Sequence, residues 1–122
     1  MCEAKTYDLE DRLVDFAVTI LDLFEKLPRF PAGVHIAGQI LRAGTSPAAN
    51  YGEAQSAESR KDFIHKLKIA MKELKETRIW LKIIQRKNYI DAGVSEPILK
   101  ECKELVCILG KSISTAESNS SR

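Results

Sequence analysis

The most regular part of the sequence is a charged stretch near its middle, residues 59–88, which reads SRKDFIHKLKIAMKELKETRIWLKIIQRKN. Apolar or small side chains recur there in alternating steps of four and three, at Phe63, Leu67, Ala70, Leu74, Thr77, Leu81 and Ile84. This spacing puts all seven on one face of an α-helix. Ser59 is a suitable N-cap. The stretch therefore predicts an amphipathic helix, roughly 45 Å long at 1.5 Å per residue, with one face in a core.

Three further segments have helical periodicity: residues 7–27, 32–55 and 96–113. In the second of them Pro47 donates no backbone hydrogen bond, so we expect a kink between Gly44 and Pro47. Ser95 is the expected cap of the last helix, with Pro97 in its first turn. Four amphipathic helices with short connections predict an all-α protein, an up-down-up-down four-helix bundle with a proline-kinked second helix.

The bundle accounts for one domain, residues 1–113, and the serine-rich residues 114–122 are expected to form a disordered tail. No apolar run approaches the roughly 20 residues that a membrane span needs, and the N-terminus lacks the layout of a signal peptide. The three cysteines, an odd number without a C-x-x-C pair, argue against a zinc site or a disulfide framework. We therefore expect reduced thiols in a cytoplasmic protein.

Charge is distributed unevenly along a chain whose formal net charge is only +2. Ten bases outweigh three acids in residues 59–88, whereas seven acids outweigh three bases in residues 3–27. Six of the bases share a stripe opposite the core face of the third helix: Lys61, Lys68, Lys72, Lys75, Lys82 and Arg86. Such a row could follow a phosphate backbone, with little base stacking because no aromatic residue interrupts it. The alternative is a solvated helix face, balanced by the acidic first helix.

A second polar cluster is predicted on the second and third helices, formed by Arg42, Ser46, Asn50, Glu53, Glu73 and Glu76. We expect a structural network because buried polar groups need partners. Arg42 would pair with a carboxylate, and Asn50 would bond across helices or subunits. The alternative is an acid and base pair of carboxylates, which requires a cleft and a partner histidine.

The sequence predicts no catalytic residue, no metal site and no cofactor. Di-iron bundles use Glu-x-x-His pairs, but Ala32 and Asp62 stand three positions before the only histidines, His35 and His65. There is no G-x-S-x-G motif and no phosphate-binding glycine loop. We therefore expect a protein that is not an enzyme.

Two runs of sequence carry a family resemblance. Residues 39–54 read QILRAGTSPAANYGEA, and SRKDF, LKIAMKELKET and WL follow within residues 59–81. In these features the chain resembles the four-helix-bundle proteins encoded in intervening sequences of bacterial large-subunit ribosomal RNA genes, over about residues 7–113. The common family form after the proline is Asn-Ile-Ala-Glu-Gly, and residues 50–54, NYGEA, differ from it at three positions.

This resemblance implies a bundle that assembles as a ring-shaped homopentamer. It also implies a relation to the accessory proteins of diversity-generating retroelements, which are basic bundles acting with a reverse transcriptase and nucleic acid. No catalytic residues carry over. By analogy, the polar residues of the second and third helices would shape the bundle and its subunit contacts: Arg42, Ser46, Asn50, Glu53, Glu73 and Glu76. The expected partners are further copies of the chain, structured RNA or DNA, and a nucleic-acid enzyme.

Three functional hypotheses follow. The leading one is a non-enzymatic oligomer that binds structured RNA or DNA through the basic stripe of the third helix. The second is a protein–protein module in which that stripe docks on the acidic first helix of a neighbouring subunit, or on another protein. The third is a small-molecule binder with a pocket near Trp80, Glu73 and Glu76.

Overall fold

The structure, a computed structural model, describes residues 8–120 and contains four helices within them. They are α1 (Leu9–Lys26), α2 (Pro31–Gln55), α3 (Arg60–Arg86) and α4 (Ala92–Ser120). Short connections make successive helices antiparallel neighbours, and each helix packs on the next, with weaker contacts between α1 and α4. The predicted all-α four-helix bundle is confirmed. Across the described range, no helix has the combination of length and hydropathy needed to cross a membrane.

The core face of α3 is the one that its spacing predicts. Leu67, Leu74 and Leu81 are fully buried, as are Ala70, Thr77 and Ile84, while Phe63 at the start of the helix is half-buried. Thr77 is a polar member of this face, and its hydroxyl donates to the main-chain oxygen of Glu73 at 2.8 Å. Its polar group is thereby satisfied inside the helix, so its burial costs little.

Both ends of α3 are fixed by local hydrogen bonds. At the start, the amide of Asp62 donates to Ser59 Oγ at 3.0 Å, which confirms Ser59 as the N-cap. At the end, Asn88 has a positive φ of 56°. The amide of Tyr89 donates to the oxygen of Ile84, and the amide of Asn88 to that of Gln85. This is the Schellman pattern that ends helices on a left-handed residue.

The start of α4 lies earlier than predicted, at Ala92. The Asp91 carboxylate accepts from the amide of Gly93 at 2.9 Å, and the Asp91 carbonyl accepts from the amide of Ser95. Ser95 is therefore not the cap. It is buried inside the helix, where its hydroxyl accepts from Gln85 Nε2 at 3.2 Å. The prediction was wrong because Asp91 is a capping residue of equal quality one turn earlier.

The predicted disordered tail is also corrected. Helix α4 continues through residues 114–120, whereas residues 121–122 lie outside the described range. Ala116 is buried, and Glu117 Oε2 lies 3.0 Å from Lys68 Nζ on α3. Serine-rich composition indicates weak helix propensity, but packing against the bundle outweighs that weak preference here.

Helix α2 runs unbroken through Pro47, which is buried. The kink expected there stays a prediction. Its small residues allow α1 to approach closely: a Cβ atom added to Gly44 would lie 2.7 Å from Ile20 Cγ1 on α1. No real side chain tolerates that separation, so glycine at this position sets the distance between the two helices.

This contact leads to a paired stability prediction. Gly44→Ala should lower the free energy of unfolding by about 1–3 kcal/mol, because overpacked cores must shift to relieve the clash. Gly52→Ala, in the same helix, should raise it by about 0.5–1 kcal/mol, since no atom lies within 4 Å of its added Cβ. Urea denaturation followed by circular dichroism measures both, and equal effects would contradict the close α1–α2 packing.

Candidate nucleic-acid interface

The six bases predicted to share a stripe lie on the solvent side of α3. All of them are exposed, and we call this set the basic face: Lys61, Lys68, Lys72, Lys75, Lys82 and Arg86. His65 and Ile79 fill the gaps between them and are exposed as well. From Lys61 to Arg86 the helix rises about 37 Å at 1.5 Å per residue. The face is thus a straight, accessible row of cations.

One member of the basic face is tied to α4. Lys68 pairs with Glu117, and both side chains are about half exposed. An ion pair so open to water contributes little to stability. The pair places an acidic side chain, from the end of α4, beside the middle of the basic face. That acid lies in the segment that was predicted to be disordered.

Three further lysines on α4 were missed by sequence reasoning. Lys100, Lys103 and Lys111 are exposed on the side of α4 that faces away from its core residues. Because α4 packs beside α3, they extend the cationic surface across a second helix. Exposed Glu96 and half-buried Glu104 lie among them, so this half is less uniformly basic. The same helical spacing that revealed the α3 stripe could have revealed these positions.

The polar cluster between α2 and α3 is centred on Arg42. Its Nη1 donates to Glu73 Oε1 at 3.0 Å, and its Nη2 donates to Glu76 Oε2. Trp80 Nε1 donates to the same oxygen of Glu76 at 2.9 Å, and the His35 ring meets the Trp80 ring edge-on. The hydrogen bond with Glu73 is the main cause that raises the pKa of Arg42. Both carboxylates are thus engaged by one cation from the neighbouring helix.

The remaining members of this cluster make different contacts from those expected. Asn50 does not bond across helices: its Nδ2 donates to the hydroxyl of Ser46 at 2.9 Å and to its carbonyl at 3.1 Å, one turn back in α2. Glu53 instead links α2 to α3 by accepting from Lys66 Nζ at 2.6 Å. That hydrogen bond raises the pKa of Lys66. The bond expected across helices is replaced by this contact with Ser46 in the same helix, whereas a bond across subunits stays a prediction.

The carboxylates of the polar cluster are engaged within it, whereas the row of cations on α3 is open to solvent. Glu73 and Glu76 both accept from Arg42, which leaves neither as a lone proton acceptor facing a cleft. In the part of the chain that the structure describes, His, Cys, Asp and Glu side chains form no cluster able to hold a metal ion. His65 lies on the basic face, where its ring is exposed among lysines.

The cysteines differ from one another. Cys102 is a buried free thiol whose Sγ donates to the main-chain oxygen of Leu74 at 3.2 Å. Burial raises the pKa of Cys102 to about 12. Cys107, on the same helix, is half-buried, and the expectation of a reduced thiol stays a prediction there. The core thiol is therefore inert at neutral pH, because the thiolate is the reactive form.

Comparison with known proteins agrees with the fold and the sequence motifs. Residues 5–111 match the family described as 23S rRNA-intervening sequence protein, so the chain belongs to that family. A crystal structure of a protein of unknown function from the S23 ribosomal protein family of Bacteroides thetaiotaomicron VPI-5482 is 40% identical, with a TM-score of 0.81. The match covers 86% of this chain and 97% of that one. No curated protein matches. Neither description names a catalytic activity.

The buried thiol gives a pH-dependent prediction. At pH 8, alkylation of Cys102 by iodoacetamide should be at least about a thousandfold slower in the folded protein than in urea, because the side chain is fully buried and its folded pKa is about 12. In urea the rate should level off above the ordinary pKa of 9.0. Mass spectrometry of the Cys102 peptide measures both rates. Similar rates in the folded and unfolded protein would contradict the burial.

Proposed function

We propose that this protein is a non-enzymatic oligomer that binds structured RNA or DNA through the basic face of α3. The observation that supports the proposal is that all six bases are exposed to solvent in one row. Charged side chains at helical spacing along about 37 Å match a polyanion better than a compact ligand. No aromatic side chain stands in the row, so contacts would be to phosphates, with little reading of sequence.

Family membership supports the other parts of the proposal, which are the oligomeric state, the location and a further partner. Membership in the 23S rRNA-intervening sequence proteins supports a ring-shaped homopentamer through the resemblance described above. A cytoplasmic location and a nucleic-acid enzyme as a further partner are proposed on the same ground. A ring multiplies the basic face, and several weak phosphate-binding rows on one particle bind a long nucleic acid far more tightly than one row does.

The decisive experiment is a salt titration of binding to labelled structured RNA and duplex DNA. We expect log K to fall linearly with log salt concentration, with a slope of about −0.9 per phosphate contact on DNA. The double variant Lys72→Glu/Lys75→Glu should weaken binding at low salt and reduce the magnitude of the slope by about two. Within residues 8–120 neither lysine lies in an ion pair, unlike Lys68, so the change isolates the phosphate contacts.

A matched control carries the same change in net charge elsewhere. Lys26→Glu/Arg29→Glu alters two exposed bases at the end of α1 and in the α1–α2 connection. It should leave the slope nearly unchanged, because screened charges at a distance contribute little. Equal weakening by both double variants would show that net charge alone drives binding. No binding by the unaltered protein at low salt would overturn the proposal.

The second candidate is a protein–protein module. One observation favours it: Ile79 is 48% exposed in the middle of the basic face, and exposed apolar groups are common in protein interfaces. The basic face would then dock on the acidic α1 of another copy. Light scattering should in that case show an assembly that dissociates as salt rises, because exposed charge pairs are screened. An assembly that persists in high salt would exclude this contact.

A further inference from the structure

One cation of α3 lies between the core and the basic face. Arg78 is half-buried, and its Nε is enclosed with no hydrogen-bond partner among the described residues. Within residues 8–120, Arg78 takes part in no ion pair. Enclosed polar groups without partners are rare in folded proteins, and a charged group in that position carries the largest cost. Arg78 therefore calls for an explanation beyond the packing of the bundle.

Arg78 lies at the interface between α3 and α4. One turn before it, the carbonyl of Leu74 accepts a hydrogen bond from Cys102 Sγ on α4 at 3.2 Å. Burial raises the pKa of the Cys102 thiol, and the positive charge of Arg78 opposes that effect. The influence of a charge weakens with distance. This influence therefore places Arg78 close to Cys102, on the side of α3 that packs on α4.

Two lysines of the basic face flank Arg78 on its own helix. Lys75 lies three residues before it and Lys82 four residues after it, and both are exposed. Side chains at these separations are neighbours on the surface of a helix. The three cations therefore lie within two turns of α3, about 10 Å along the helix axis.

Helix α4 contributes a fourth cation, Lys103, which is exposed. Lys103 lies seven residues before Gly110, so both are on the same side of α4. That side faces α3, because a Cβ atom added to Gly110 would lie 3.9 Å from Met71 Sδ. Seven residues back on α4 correspond to about seven residues forward on the antiparallel α3. Lys103 is therefore level with Arg78, across the groove between the two helices.

The acids of α3 and α4 do not balance this group of cations. Glu76 on α3 accepts from the arginine of the polar cluster on α2. On α4, Glu101 and Glu104 both act on Arg12 of α1 and raise its pKa. The exposed Glu96 lies two turns before the lysine of α4, about 10 Å along the helix axis. The groove between α3 and α4 is therefore strongly cationic at its middle.

We propose that this groove binds a phosphate group at Arg78, with Lys75, Lys82 and Lys103 around it. The terminal nitrogens of Arg78 are not enclosed as its Nε is, so phosphate oxygens can reach them. Because the guanidinium charge is delocalised, an anion at the terminal nitrogens also balances the enclosed part of the group. A water molecule could hydrogen-bond there but would not balance the charge. Arginine holds phosphate by two parallel hydrogen bonds, and the lysines add point charges.

The phosphate has two possible sources, a nucleic-acid backbone and free inorganic phosphate. For the first source the inference rests on the proposed function, and it adds where one phosphate is held most tightly. A nucleic acid that follows the basic face would place a phosphate beside Arg78. This contact should contribute more than one with an exposed lysine, because a partly buried charge is less screened by water.

Thermal unfolding of the full chain with inorganic phosphate tests the site directly, at an ionic strength held constant with sodium chloride. We expect the melting temperature to rise by about 4–6 °C once phosphate exceeds its dissociation constant about tenfold. Arg78→Met should abolish this rise. Without phosphate this variant should melt no lower than the unaltered protein, because it removes an unpaired, partly buried charge and keeps an apolar stem.

The matched control is Arg29→Met, which makes the same change at an exposed base in the α1–α2 connection. It should keep the rise with phosphate. In the second arm, the salt titration with structured RNA and duplex DNA is repeated. Arg78→Met should weaken binding at low salt at least about tenfold, and more than Lys72→Met does. Arg29→Met should weaken it less than about threefold, because a distant charge is screened.

The outcomes separate the inference from the proposed function. Loss of both effects in Arg78→Met would mean that the site takes free and backbone phosphate alike. Loss of nucleic-acid affinity alone would identify the backbone as the source. A rise with phosphate that Arg78→Met abolishes, without nucleic-acid binding by the unaltered protein, would refute only the proposed function. The inference is overturned if Arg78→Met behaves as Arg29→Met does in both arms.

Discussion

The burial of one face of α3 is the constraint on which the rest of the structure depends. Leu67, Leu74 and Leu81 are removed from water on that face, and α2 and α4 pack on either side of it. A helix with 3.6 residues per turn that commits one face to a core must turn the opposite face to water. Unpaired lysines are tolerated only there, because a buried charge without a partner is very costly. The buried core face and the exposed basic face of α3 therefore both follow from its helical periodicity.

Polar contacts at the interfaces between helices help to specify which helices are neighbours. Arg42 on α2 reaches two carboxylates on α3, and Arg12 on α1 donates to Glu101 on α4 at 3.0 Å. These ion pairs are partly exposed, so each contributes modestly to the free energy of folding. Their larger effect is on specificity, since a different helix order would leave half-buried charges without partners.

The molecule has two outer surfaces that differ in their chemistry. The α3 side is cationic and hydrated, whereas the α1–α2 side is apolar with an acidic border. Burial of apolar area favours a partner of complementary shape, while a row of cations favours a polyanion of almost any sequence. Assembly of several copies would place several basic faces on one particle. The proposed affinity for nucleic acid would then depend on the assembly as a whole as well as on one chain.

The sequence by itself determined the number of helices, the core face of α3 and the exposure of the basic face, because helical periodicity is information local to each segment. Only the tertiary structure decided where α4 begins and ends, which carboxylates Arg42 engages, and that Asn50 bonds to Ser46. Residues 114–120 have weak helix propensity, yet Ala116 is buried and Glu117 pairs with Lys68. Contacts between residues distant in sequence outweigh local preferences of a few tenths of a kcal/mol per residue. The order of residues along the chain does not show which distant residues make those contacts.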